Sequence, residues 1–152
     1  MPASFPAIGS VRALFDVNVL LAVFDPDHVF HARARSWWSG EARGGWATCP
    51  ITQNGFVRIM SQASYPSRRS LTRAVETLHI GLNQPGHEFW PDDISIADPE
   101  IFDHRRILGP NQITDIYLLG LAVRNGGRLV TFDRAISVSA VRGAEAKHLA
   151  VV

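Results

Sequence analysis

The sequence is poor in cysteine: Cys49 is the single one in 152 residues. That excludes an intramolecular disulfide and a cysteine-built zinc site, and it fits a reducing compartment. A lone cysteine of this kind is expected to be a small buried core residue. Long apolar runs are missing as well. The most apolar early segment, Val19 to Phe24, is far too short to cross a bilayer. Met1 to Ser10 holds no basic stretch followed by an apolar one, so no secretory signal is expected. These absences predict a cytoplasmic protein without membrane association. Formal net charge is only +1, which by itself implies neither a nucleic-acid nor a membrane partner. No internal repeat, low-complexity tract or second domain is visible. Residues 1–152 are therefore expected to form one domain, with 1–10 as a loose lead-in.

What is present suits a packed core, with 46% hydrophobic and 19% charged residues. Short apolar stretches over Arg12 to Phe15, Trp46 to Cys49, His87 to Trp90, Leu129 to Thr131 and His148 to Val152 predict strands. Helical spacing lies between them: Val17 to Phe24, His31 to Arg43, a helix capped near Thr52, another marked by Leu71, Ala74, Val75 and Leu78, and one capped by Thr114. Ile101 to Leu108 carries a weak helical pattern. Strands alternating with helices predict an α/β sandwich with a mainly parallel sheet. Trp37 and Trp38 share a stripe with Ala34 and Glu41 and are expected in the core, with base stacking as the alternative.

Three aspartates stand out against this pattern. Asp16 and Asp133 each follow a short apolar strand, and ligands of an open parallel sheet sit beyond the C-terminal strand ends. Asp115 starts a helix, where the positive end of the dipole favours an anion, and it heads the apolar stripe Leu118, Leu119 and Ala122. Carboxylates drawn together repel one another and lose hydration, which a cation relieves. Oxygen ligands without thiolates point to Mg²⁺ or Mn²⁺. Taken singly, Asp16 and Asp133 read as a helix cap or turn former and Asp115 as a dipole-stabilising N-terminal residue. Asp25, Asp27, Asp92, Asp93, Asp98 and Asp103 fall in loops or breaks and are expected to be solvated. His28, His31, His79, His87, His104 and His148 show no metal-ligand spacing.

Four stretches in order carry a resemblance: Leu14-Phe15-Asp16-Val17-Asn18-Val19-Leu20, Thr52-Gln53-Asn54-Gly55-Phe56-Val57-Arg58, Thr114-Asp115-Ile116-Tyr117-Leu118-Leu119, and Gly127-Arg128-Leu129-Val130-Thr131-Phe132-Asp133. From about Arg12 to Ile136 the chain resembles a PIN-domain ribonuclease, and more narrowly a VapC-type toxin of a toxin–antitoxin pair. The resemblance implies a PIN-like three-layer α/β/α sandwich and a metal-dependent endoribonuclease cutting structured or single-stranded RNA. By position, Asp16, Asp115 and Asp133 become the catalytic and Mg²⁺- or Mn²⁺-binding acids, with Asn18 and Thr131 as supporting polar groups. A VapB-type antitoxin and a homodimer are the partners it implies. One position departs from the pattern: where PIN domains usually carry a glutamate, this chain has Gln53. That residue heads the stripe Phe56, Val57 and Met60, so its side chain is expected to reach the crevice, but it supplies no charge for a second metal.

RNA is expected to be held by arginine contacts to phosphate and by aromatic stacking on unpaired bases. Arg58, Arg68, Arg69, Arg73 and Arg134 are the candidates, each weighed against an ordinary solvated helix face. Two further functions stay open. Gln53 also suits a PIN-like RNA- or protein-binding module with weakened catalysis. An aspartate after the first strand also opens haloacid dehalogenase phosphatases, although their second aspartate is Asn18 here.

Overall fold

The computed structural model describes residues 11–152; the expected lead-in at 1–10 lies outside them. Five strands form one sheet: β1 (Ala13–Phe15), β2 (Trp46–Thr48), β3 (His87–Phe89), β4 (Arg128–Thr131) and β5 (Leu149–Val151). The order is β3-β2-β1-β4-β5 and every pairing is parallel. The inner strands β1, β2 and β4 are buried on both faces, which is why they read as short apolar runs rather than alternating ones, while β3 and β5 at the edges are partly exposed.

Alternation within the strands divides the core in two. Ala13, Phe15, Trp46 and Val130 face one side, together with α1 (Val17–Phe24), α2 (His31–Glu41), α3 (Pro50–Met60) and α4 (Leu71–Leu82). Leu14, Ala47, Cys49 and Leu129 face the other, against α5 (Ile113–Arg124) and the segments holding Trp90, Phe102, Ile136 and Val141. The three layers are therefore the expected ones. The chain runs from β1 outward through β2 and β3, then returns to lay β4 on the other flank of β1. This reversal opens a crevice at the C-terminal ends of β1 and β4. Gly127, which leads into β4, passes so close that a Cβ would stand 2.6 Å from the Arg12 carbonyl oxygen and 2.7 Å from the Trp90 ring.

Local boundaries differ from the sequence expectations in several places. Helix α3 begins at Pro50, whose fixed φ suits a first helical position. Thr52 sits in its first turn as the N3 residue of a capping box, accepting the amide of the N-cap residue Cys49 at 3.0 Å. A 3-10 turn over Pro110–Gln112 runs straight into α5, so Thr114 is exposed inside the first turn and caps nothing. Residues 101–108 are not a helix: Phe102 bridges to Val141, and a 3-10 turn over His104–Arg106 follows. On α4, Ala74 and Leu78 are buried, but Leu71 and Val75 are 62% and 50% exposed, so half of the expected stripe faces out.

The surface expectation for the loop aspartates also needs correction. Asp25 is completely buried at the end of α1. It accepts hydrogen bonds from Tyr65 Oη and Ser67 Oγ, each at 2.5 Å, and from the Asp27 amide at 3.0 Å, with Arg69 at 3.9 Å. These donors hold its carboxyl below the usual range despite burial. Asp103 is largely covered and lies 3.4 Å from Arg105 and 3.2 Å from Arg106. Both aspartates tie loops together, a role that no local pattern announces.

Candidate active site

Asp16 leaves the end of β1 in extended conformation and caps α1. Its Oδ1 accepts the Val19 amide at 2.8 Å. Thr131, at the end of β4, donates its hydroxyl to Asp16 Oδ2 at 2.6 Å, joining residues 115 apart in sequence. The same Thr131 oxygen accepts the Asp133 amide at 3.0 Å. Asp133 turns its Oδ1 onto the Ala135 amide at 2.7 Å, so the turn-forming role anticipated for a single aspartate is real and coexists with its place beside Asp16. Asp115 stands in the first turn of α5, half-buried. Asn18 is exposed on the first turn of α1.

The electrostatics bind the three acids into one neighbourhood. Burial is the main force on Asp16 and pushes its carboxyl up to about 6, with the charges of Asp115 and Asp133 acting in the same direction. The hydrogen bonds from Thr131 and Val19 pull it partly back. Asp115 is likewise raised, first by burial and then by the charge of Asp133. Among the described residues, no three acidic, histidine or cysteine side chains close on a single point at ligating range. Mg²⁺ is commonly held by one or two carboxylates and keeps other positions for water and phosphate oxygens. An all-oxygen, mutually repelling donor set fits such a hard cation in its chemistry.

Gln53 is used differently from the sequence expectation. Its Nε2 donates to Thr48 Oγ1 at 2.9 Å, and Thr48 Oγ1 in turn shares a 2.8 Å hydrogen bond with His87 Nε2. The amide is therefore engaged on the β2–β3 side of the sheet and makes no hydrogen bond to the three aspartates. His87 packs 4.6 Å from the Trp46 ring, and burial lowers its pKa first, with the Arg12 charge adding to the effect. This Thr48–His87 pair was not signalled by any motif. Cys49 is buried and its thiol is pushed up to about 11 by burial, as expected of an inert core residue.

The arginines separate into two groups. Arg69 donates to Thr77 Oγ1 at 2.6 Å and faces Asp25, so its charge serves the fold. Arg68 donates to the Ser61 carbonyl at 3.1 Å, and Arg73 pairs with Glu76 at 3.8 Å. Arg58 and Arg134 are exposed, and Arg134 directly follows Asp133. Trp37 and Trp38 pack edge-on and stacked against Phe15, at 5.9 and 5.3 Å, so the core role expected of them holds.

Comparison with known proteins places this geometry. A PIN-domain family model matches residues 13–141. The chain belongs to the PIN-domain family. Within it, the chain is 51% identical over 142 residues to a protein named Ribonuclease VapC44 of Mycobacterium tuberculosis, covering 93% of this chain and all of that one. It is 43% identical to Ribonuclease VapC39 of the same organism, over 88% of this chain and 96% of that one. Ribonuclease VapC38 matches at 42% over 82% and 86%. The chain is thus a VapC-type PIN domain, and the motif resemblance holds across most of its length. No helix among the described residues is long and apolar enough to cross a membrane.

Proposed function

We propose that the protein is a metal-dependent endoribonuclease toxin with Asp16, Asp115 and Asp133 as its catalytic acids. What supports this is that the charges of Asp115 and Asp133 act on Asp16, which ends β1 beside β4, in a chain 51% identical to a named VapC ribonuclease. Burial first, and then the charges of Asp115 and Asp133, raise the Asp16 carboxyl, and a divalent cation relieves the cost of keeping it ionised there. Asp16 and Asp115 would hold Mg²⁺ or Mn²⁺ with Asp133 alongside. The ion, when bound, supplies Lewis-acid activation of water and neutralises phosphate charge. The protein's own part is positional. Thr131 fixes the Asp16 carboxylate through one bond and the Asp133 backbone through another. The α1 amide of Val19 holds the other oxygen of Asp16. Arg134, which directly follows Asp133, and Arg58 are exposed and offer charge to the phosphate backbone, with Arg68 and Arg73 further candidates.

A VapB-type antitoxin and a second copy of the chain are the protein partners this reading includes. Leu71, Val75 and Ile80 are exposed apolar residues on α4. A cavity of about 340 Å³ lined by Phe24, His31, Arg35, Arg69 and Ile80 lies beside them. Such a surface suits an amphipathic helix. The test is cleavage of a structured RNA with Mg²⁺ or Mn²⁺, followed by sequencing of the new ends. Asp16→Asn and excess chelator are each expected to abolish cleavage while the protein stays folded. Full activity in either condition sinks the proposal.

The engagement of Gln53 with Thr48 favours a second reading, a PIN-like RNA- or protein-binding module with weakened catalysis. Titration of Mg²⁺ by calorimetry separates the two. Binding in the physiological range supports the nuclease. Its absence, together with its return in Gln53→Glu, supports the module.

A further inference from the structure

The aromatic side chains at the rim of the crevice are phenylalanines, not the tryptophans. Phe132 lies in the chain between Thr131 and Asp133, both of them part of the candidate site. Its ring centroid is 5.2 Å from that of Phe30, just ahead of α2, and Phe30 is 5.9 Å from the His28 ring. The Arg33 guanidinium covers both phenylalanines, 5.5 Å from the Phe132 centroid and 5.4 Å from the Phe30 centroid. A hydrogen bond from Arg33 to the Val152 carbonyl holds it there. Phe30 remains 41% exposed, and its neighbour Val29 is 83% exposed. Beyond His28 the row reaches a small cavity of about 180 Å³ lined by Val29, Tyr65 and Pro66.

An exposed phenylalanine ring is an apolar face kept in water without a packing reward. Here the exposed Phe30 ring adjoins Phe132, which directly precedes an acid assigned to the phosphodiester, and the Arg33 guanidinium lies over both rings. A π-face flanked by a guanidinium next to a phosphate site matches an unpaired base with its backbone charge. We propose that Phe30 and Phe132, with Arg33 beside them, form a stacking platform that seats an unpaired base adjacent to the cleaved phosphate. This rests on the ribonuclease reading and deepens it: the platform selects a single-stranded stretch, because a base inside a duplex has no free face.

The test uses the full-length protein and an oligoribonucleotide carrying 2-aminopurine next to the mapped cut site. Phe30→Leu keeps apolar volume and removes the flat face. Phe30→Trp keeps the face. The expected result is that Phe30→Leu raises KM about tenfold with kcat little changed, in line with the loss of one base–aromatic stack. Phe30→Trp retains wild-type KM. Fluorescence quenching of the 2-aminopurine on binding to Asp16→Asn protein is lost when Phe30→Leu is added. Wild-type KM and wild-type quenching in Phe30→Leu overturn the platform while leaving the nuclease standing. A Phe30→Leu variant that cleaves normally but no longer binds the antitoxin assigns the rings to a protein partner and overturns it too. Wild-type protein that cleaves no RNA overturns the nuclease reading, and the platform falls with it.

Discussion

Replacing Asp16 by asparagine removes one charge and leaves the shape of the side chain almost unchanged. Asparagine caps a helix as well as aspartate does, so the start of α1 should survive. The charge is what matters. The Asp16 carboxyl is raised from the usual 3.8 to about 6, chiefly by burial. A carboxyl raised on folding binds its proton more tightly in the native state than in the unfolded chain. The contribution of Asp16 to stability is therefore most favourable below pH 3.8, falls as pH rises towards about 6, and stays at the lower level above that. At about 1.4 kcal/mol per tenfold change in an equilibrium constant, that interval corresponds to about 3 kcal/mol lost at neutral pH. In chelator, Asp16→Asn should then be more stable than wild type at pH 8 by about 1–3 kcal/mol, the lower end allowing for a weakened bond to Thr131. The gain should close below pH 4. Urea unfolding at a series of pH values, with EDTA throughout, measures it directly. A variant less stable than wild type at pH 8, or a gain that does not change with pH, would refute the argument that this carboxylate is held ionised against burial and repulsion. Added Mg²⁺ should stabilise wild type more than the variant, because a ligand bound only by the native state shifts unfolding by mass action.

Two more outcomes follow from named contacts. Thr131→Val removes the hydroxyl that joins Asp16 to the Asp133 amide; a loss of about 1–3 kcal/mol in urea unfolding is expected, with the acid limb of the cleavage pH profile moved upward as Asp16 loses a donor. Gly127→Ala should cost about 1–3 kcal/mol, because the new methyl meets the Arg12 backbone on one side and the Trp90 ring on the other, and a Tm equal to wild type would show that the close approach relaxes freely.

Much of this was legible in the sequence because the parallel sheet writes its strands as compact apolar runs and ends them at polar residues. Ala13 to Phe15 and Arg128 to Thr131 were recognisable for that reason, and Asp16 and Asp133 with them. Helix starts were less legible. Pro50 and the 3-10 turn before Ile113 set those boundaries through backbone geometry; Thr52 serves the capping box three residues inside the N-cap, and Thr114 offers a hydroxyl that the chain does not use as a cap. The fate of Gln53 was hidden as well: Thr48, which it bonds, lies only five residues away across the turn from β2 into α3, but His87 joins Thr48 only through the pairing of β2 with β3.

The sequence by itself determined the layered α/β architecture, the polar residues that end β1 and β4, and the family, because each is carried by local periodicity or by short motifs in order. Only the tertiary structure decided which polar groups meet. It set Thr131 as the bridge between Asp16 and Asp133, buried Asp25 among Tyr65, Ser67 and Arg69, and withdrew Arg69 from the surface. It also left Phe30, and not Trp37 or Trp38, at the rim of the crevice. The physical reason is that a hydrogen bond or an ion pair is made between neighbours in space. When those neighbours stand 40 or 115 residues apart, as Tyr65 from Asp25 and Thr131 from Asp16, no periodicity in the chain records them.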